Sequence, residues 1–132
     1  MIETIEEYLN LVEKGDKESQ WRLKSDTAPL FVWEGLISLY PDLKRVVTLN
    51  KTLSDCVIRL LANDVDAAVR CDVANRRGLP LDVFELLARD SDESVRCRIA
   101  WNKKTPDHVL RFLLSDDYDI VTEPVKKRLG LL

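Results

Sequence analysis

Two consecutive segments of the chain repeat one pattern: residues 62–87 read ANDVDAAVRCDVANRRGLPLDVFELL, and residues 88–113 read ARDSDESVRCRIAWNKKTPDHVLRFL. Aligned without a gap, they share ten identical residues in 26 positions, where ordinary composition gives roughly two by chance. The identities include Asp, Arg, Cys, Ala and Pro positions that set local structure. A repeat of this length predicts an array of stacked supersecondary units.

The same period continues more weakly on both sides of these two copies. Outside them, the repeat columns hold Leu43, Lys44, Val47, Leu53, Val57, Leu60, Leu61, Asp116, Val121 and Val125. Degenerate outer units are expected, because the ends of an array face water. We therefore divide a single domain, residues 1–132, into an N-terminal cap with one diverged unit at 1–42, clear repeats at 43–115, and a C-terminal capping unit at 116–132.

Each repeat predicts two short helices joined by a turn. Asp66 is placed to cap the first helix, and Pro80 suits the first turn of the second, where its missing N–H is harmless. Asn102 is expected to end a helix in the left-handed conformation. Neither helix buries its apolar face alone, so stacked units are expected to share a core. The predicted core columns are 57/83/109, 60/86/112 and 61/87/113.

The two ends of the chain depart from the repeat. In the N-terminal cap, Gly15 ends a first helix, Asp16 caps a second, and Pro29 opens a third. Large aromatic residues are expected to cover the first apolar edge of the array. These residues are Trp21, Trp33 and Tyr40. In the last unit, Pro124 falls where a helix interior is expected, which predicts a helix that begins late, near Thr122 or Glu123.

The repeated string VRCDVANRRGLPLDVFELLARDSDESVRCRIAWNKKTPDHVLRFLLSDD resembles the leucine-rich repeat variant class and, more broadly, HEAT-like helical repeats. The resemblance implies an all-α fold of the ARM type, a right-handed α-solenoid of short helical pairs. It also implies a polar ladder between units, with Asp64 paired with Arg70 and Asp90 with Arg96. Some members of the class hold an iron–sulfur cluster, but this chain has no clustered cysteines to ligate one.

Composition and motifs favour a non-catalytic protein. Of the 132 residues, 45% are hydrophobic and 33% charged, which excludes a disordered chain. No apolar run approaches the ~20 residues that cross a bilayer, and MIETIEEYLN lacks the lysines of a signal peptide, so we expect a cytoplasmic protein without membrane contact. Its three cysteines lack metal-site spacing, His108 is expected on the surface, and nucleotide or hydrolase motifs are absent. We expect neither cofactor nor metal.

Charge and exposure suggest three groups of partner-binding candidates. Residues 1–42 carry 4 basic and 9 acidic side chains, whereas residues 43–132 carry 16 basic and 14 acidic ones. One column is uniformly basic, one is charged with mixed sign, and a third holds a lone aromatic residue. The three groups are Lys51, Arg77 and Lys103; Arg59, Glu85 and Arg111; and Trp101.

The function expected from these features is a protein-binding scaffold. Repeat arrays present extended surfaces that suit another protein, and Trp101 is a candidate anchor. Nucleic-acid binding through the basic edge is an alternative, against which stand the net charge of −3 and the lack of further stacking aromatics. A bacterial immunity or inhibitor protein is another, because small acidic solenoids resemble some of them.

Overall fold

The computed structural model describes residues 1–132 and is all-α, as the sequence predicts. Ten α-helices and one 3₁₀ turn at Pro41–Leu43 make up the fold, without a strand. None of the helices is both long enough and apolar enough to cross a membrane. The helices are α1 Ile5–Lys14, α2 Lys17–Ser25, α3 Leu30–Leu39, α4 Lys44–Val47, α5 Asp55–Ala62, α6 Ala67–Ala74, α7 Leu81–Ala88, α8 Glu93–Trp101, α9 Asp107–Leu113 and α10 Asp119–Arg128.

The helices divide into two compact units, Met1–Leu61 and Ala62–Leu132. In the first unit, α1 packs against α2 and α3, and α4 packs against α2 and α3. In the second unit, α8 packs against both α6 and α10, while α7 packs against α9. The second unit thus contains one row of three helices and one row of two.

Helix starts follow the predicted caps. The Asp66 carboxylate accepts the Ala68 N–H at 2.9 Å, and Asp92, one repeat later, accepts the Ser94 N–H at 2.8 Å. The hydrogen bonds from Ser94 lower the pKa of Asp92. Three helices instead begin directly after a proline in extended conformation, one position earlier than a first-turn residue. These prolines are Pro29, Pro80 and Pro106.

Two of the three predicted core columns are buried, and the third is wrong. The columns 57/83/109 and 61/87/113 are buried in full. Leu60, Leu86 and Phe112 are instead 47%, 42% and 44% exposed. The buried stripe of each second helix runs through 57, 58 and 61 and their equivalents, and position 60 lies at the edge of that stripe at 3.6 residues per turn. The third buried column is therefore 58/84/110.

The aromatic residues of the first unit are only partly in its core. Trp33 is buried as predicted, but Trp21 is 64% exposed and Tyr40 is also exposed, so neither covers an apolar edge. The polar helix α2 buries Ser19 and Leu23, which are four residues apart on one face, and Trp21 lies on the opposite face.

Tyr8 carries an unsatisfied hydroxyl inside the first unit. Its ring is wholly buried and meets the Trp33 ring edge-on at 5.9 Å. The hydroxyl has no hydrogen-bond partner, and burial raises its pKa above the ordinary value. A buried donor without a partner costs stability.

We expect Tyr8→Phe to raise the free energy of unfolding by about 1 kcal/mol, because it removes that hydroxyl and keeps the ring. Urea denaturation measures the change, and Tyr40→Phe, at an exposed ring, should leave stability unchanged. A loss of stability in Tyr8→Phe would show that the hydroxyl makes a favourable interaction.

The last helix begins earlier than its proline suggests. Helix α10 starts at Asp119 and contains Pro124 in its interior, so the predicted start near Thr122 or Glu123 is wrong. Proline supplies no N–H to the carbonyl four residues earlier, that of Ile120. The Cys97 thiol of α8 donates to that carbonyl at 3.3 Å instead. A neighbouring helix therefore satisfies the acceptor that the proline leaves open.

Candidate functional site

Two largely buried ion pairs recur one repeat apart in the second unit. Arg70 donates from Nε to Asp90 Oδ2 at 2.8 Å and from Nη2 to Asp90 Oδ1 at 3.1 Å. Arg96 makes the same pair of bonds to Asp116, at 2.7 and 3.3 Å. The predicted pairing of each arginine with the carboxylate six residues earlier is wrong, since Nη1 donates there to the backbone carbonyls of Asp64 and Asp90.

These contacts leave the two arginines little capacity for a ligand. Each guanidinium uses donors on all three nitrogen atoms within the fold. The Asp116 partner raises the pKa of Arg96. Burial disfavours the charged form of Asp116, but the bonds from Arg96 and the Tyr118 N–H outweigh it and lower the pKa of that carboxyl. Both pairs therefore hold neighbouring helices together.

A second set of polar contacts was not predicted from the sequence. Asn102 donates from Nδ2 to the carbonyls of Ala74 and Arg76, both at 2.7 Å, and its Oδ1 accepts the Lys104 N–H at 2.9 Å. Its backbone is extended, so the predicted left-handed cap is wrong. Arg128, 26 residues later, donates to the carbonyls of Ala100 and Asn102.

The first unit contains the same arrangement at Asn50. Its Nδ2 donates to the carbonyls of Leu23 and Asp26 at 2.8 and 2.9 Å, and its Oδ1 accepts the Thr52 N–H at 2.8 Å. Asn50 and Asn102 stand two repeat lengths apart in the sequence. Each ties its own turn to backbone carbonyls near the end of an earlier helix.

Two surface hollows of the second unit are lined by equivalent residues one repeat apart. The first, about 300 Å³, has Leu86, Arg89 and Ser91 around the Arg70–Asp90 pair. The second, about 400 Å³, has Phe112, Ser115 and Asp117 around the Arg96–Asp116 pair. We name these two sites the paired hollows. Leu86 and Phe112 belong to the exposed 60/86/112 column that was predicted to be core, and each supplies an apolar wall to one hollow.

Arg89 lines both paired hollows. Its guanidinium lies over the Phe112 ring, 4.3 Å from the ring centre, a cation–π contact that orients both exposed side chains. Nearby, Glu85 Oε1 lies 3.9 Å from His108 Nε2. His108 is exposed, as expected.

A third hollow brings together residues from two groups of predicted partner-binding candidates. It measures about 150 Å³ and lies where the first helices end. Trp101, the last residue of α8, is 61% exposed there. We name this site the tryptophan hollow. Its lining residues are Asn75, Arg77, Arg98, Trp101, Asn102 and Lys103.

The remaining candidates lie elsewhere. Lys51 belongs to the first unit and is exposed. Arg59, Glu85 and Arg111 are exposed on second helices, and none lines the tryptophan hollow. Arg98 was missed because its equivalent one repeat earlier is Asp72, so no conserved charge marks the column.

The three cysteines form no disulfide bond. Cys56, Cys71 and Cys97 are all free cysteines. Burial raises the pKa of the Cys97 thiol, and Cys71 Sγ lies 3.6 Å from Ser94 Oγ. No three His, Cys, Asp or Glu side chains come together in a way that would hold a metal ion.

No protein-family model, curated protein or solved structure matches the chain. The resemblance to leucine-rich repeat variant and HEAT-like proteins therefore stays a prediction from the repeated residues.

Proposed function

We propose that the protein is a non-catalytic cytoplasmic scaffold that binds another protein, built as a right-handed α-solenoid of stacked helical pairs. The recurrence of the Arg–Asp contacts at a 26-residue step supports the stacked arrangement. So does the packing of α8 between α6 and α10. In such arrays the buried columns stabilise the stack, and the exposed columns remain available for recognition.

The main support for a protein-binding surface comes from the paired hollows. Leu86 and Phe112 hold equivalent places in α7 and α9, and each leaves more than two fifths of its surface in water. Large apolar side chains ringed by charged residues are typical of the centre of a protein interface. The ion pair in each hollow already has its donors engaged, so what the hollow offers a partner is shape and apolar contact.

Arg89 adds to this recognition surface. Arginine and aromatic residues are enriched among the side chains that dominate binding energy in interfaces. The contact with Phe112 restrains the guanidinium before a partner arrives, which reduces the entropy lost on binding. The two hollows and the Arg89–Phe112 contact between them therefore form one continuous candidate interface.

Affinity capture from the native cell tests this proposal. We expect the wild-type chain to capture a specific partner protein. The double variant Leu86→Glu, Phe112→Glu should capture at least tenfold less of that partner, because it places a charge in the apolar wall of each hollow. Leu81→Glu is the matched control: Leu81 is 51% exposed on α7 and lines neither hollow.

Urea denaturation of each variant shows whether the fold is retained. Equal recovery of the partner by the double variant and by the control would contradict a role for the paired hollows in binding.

A further inference from the structure

The tryptophan hollow lies at the opposite end of the helices from the paired hollows. Trp101 ends α8, whereas Arg96, in one of the paired hollows, belongs to the first turn of the same helix. The two kinds of site thus have no lining residue in common. A ligand of the tryptophan hollow would meet a different surface from a partner seated on Leu86 and Phe112.

The tryptophan hollow is basic, although the unit that contains it is nearly neutral. Residues 62–132 carry 12 basic and 13 acidic side chains, a net charge of −1. The hollow nevertheless gathers Arg77, Arg98 and Lys103, and no carboxylate lines it. Cations are favoured at helix C-termini, which accounts for part of this cluster. It does not account for a tryptophan that leaves most of its indole in water beside them.

We propose that the tryptophan hollow is a second docking site, and that its occupant is an acidic segment of a protein. An apolar or aromatic side chain of the segment packs on the Trp101 indole. Carboxylates on either side of that residue pair with the guanidinium groups of Arg77 and Arg98 and with the Lys103 ammonium. Charge complementarity and an exposed aromatic anchor together specify the partner.

The size of the hollow favours a peptide segment over a nucleic acid. At about 150 Å³ it holds one side chain. Single-stranded nucleic acids bind through several successive stacking aromatics along a basic groove, whereas Trp101 is the one aromatic residue that lines this hollow.

Selection from a random peptide display library on the wild-type chain tests the proposal. We expect enriched peptides with two or more Asp or Glu residues around one aromatic or aliphatic residue. In fluorescence polarisation, Trp101→Ala should weaken the labelled peptides at least tenfold. Raising NaCl from about 50 to about 300 mM should weaken them severalfold, because exposed charge pairs are screened. Trp21→Ala, at an exposed tryptophan of the other unit, should bind as wild type.

Charge-reversal variants test the basic residues of the hollow in the same peptide-binding measurement. The triple variant Arg77→Glu, Arg98→Glu, Lys103→Glu should abolish binding, and Arg111→Glu, at an exposed cation on α9, should not. No enrichment, enrichment of peptides without acidic residues, or binding unchanged by Trp101→Ala would each overturn the proposal. So would tighter binding of a labelled oligothymidylate than of the peptides.

The outcomes separate this site from the proposed scaffold function. Peptides lost only in Leu86→Glu, Phe112→Glu would refute the tryptophan hollow and leave the paired hollows standing. If Trp101→Ala loses peptide binding while Leu86→Glu, Phe112→Glu still captures the partner, the tryptophan hollow stands and the role of the paired hollows is refuted.

Discussion

Asn102→Asp should lower the free energy of unfolding by about 3 kcal/mol or more at neutral pH, among the largest effects of any single substitution in the chain. The amide of Asn102 donates to two backbone carbonyls at 2.7 Å in a buried position. A carboxylate of the same shape would place a negative charge against both carbonyl oxygens and supply no donor. Both acceptors would then lose this partner in a largely buried site.

Urea denaturation measures this effect, with Asn75→Asp as the control at an exposed amide. Burial against two carbonyl oxygens should raise the pKa of the introduced carboxyl in the folded chain, so the loss in Asn102→Asp should shrink as the pH falls toward the unfolded-state pKa, about 3.9, where a protonated carboxyl regains a donor. A change below about 1 kcal/mol at neutral pH would contradict a supporting role for the Asn102 contacts.

Asp116→Asn should destabilise the second unit by about 2 kcal/mol, because it leaves the largely buried guanidinium of Arg96 without its charged partner. The matched control is Asp117→Asn, at the exposed neighbour. A double-mutant cycle with Arg96→Met isolates the pairwise interaction and should give a coupling of about 1 kcal/mol or more. Independent effects of the two substitutions would contradict the pairing.

The same ion pair predicts a pH dependence. The folded-state pKa of Asp116 lies below its ordinary value, so the carboxylate binds a proton more weakly in the folded than in the unfolded chain. Its stabilising contribution is complete above the unfolded-state pKa, about 3.9, and is lost as the pH falls through the lowered folded-state value. Stability of the wild type should therefore fall more steeply below pH 4 than that of Asp116→Asn, in denaturation curves recorded across that range.

Local features of the fold were predictable from the sequence. The short helices and the Asp66 cap follow from spacing and residue type, which act within a few residues. The buried columns through Val83 and Leu87 follow from helical periodicity. The exposure of Leu86 does not, because an apolar residue at the edge of a stripe is buried only when a neighbouring element reaches it.

The long-range contacts were less predictable. Arg70 pairs with a carboxylate 20 residues away, because α6 packs against α8 and the turn that precedes α8 therefore lies beside Arg70. From the sequence alone, the nearer Asp64 is as good a candidate partner for Arg70 as Asp90 is. The Asn102 contacts were hidden because the residue one repeat earlier is Arg76, and the matching Asn50 lies two repeats earlier, where the repeat is weak. The tryptophan hollow needs Arg98 as well as the basic column, and only the packing of α6 against α8 brings them together.

Site-specific photocrosslinking in the native cell tests the central claim, that a protein partner occupies the paired hollows, most directly. A benzophenone amino acid replaces Phe112 in one variant and Asp107, an exposed residue of the same helix, in another. We predict that irradiation joins position 112 to one other protein and leaves position 107 without that adduct. No adduct at position 112, or the same adducts at both positions, would contradict the claim.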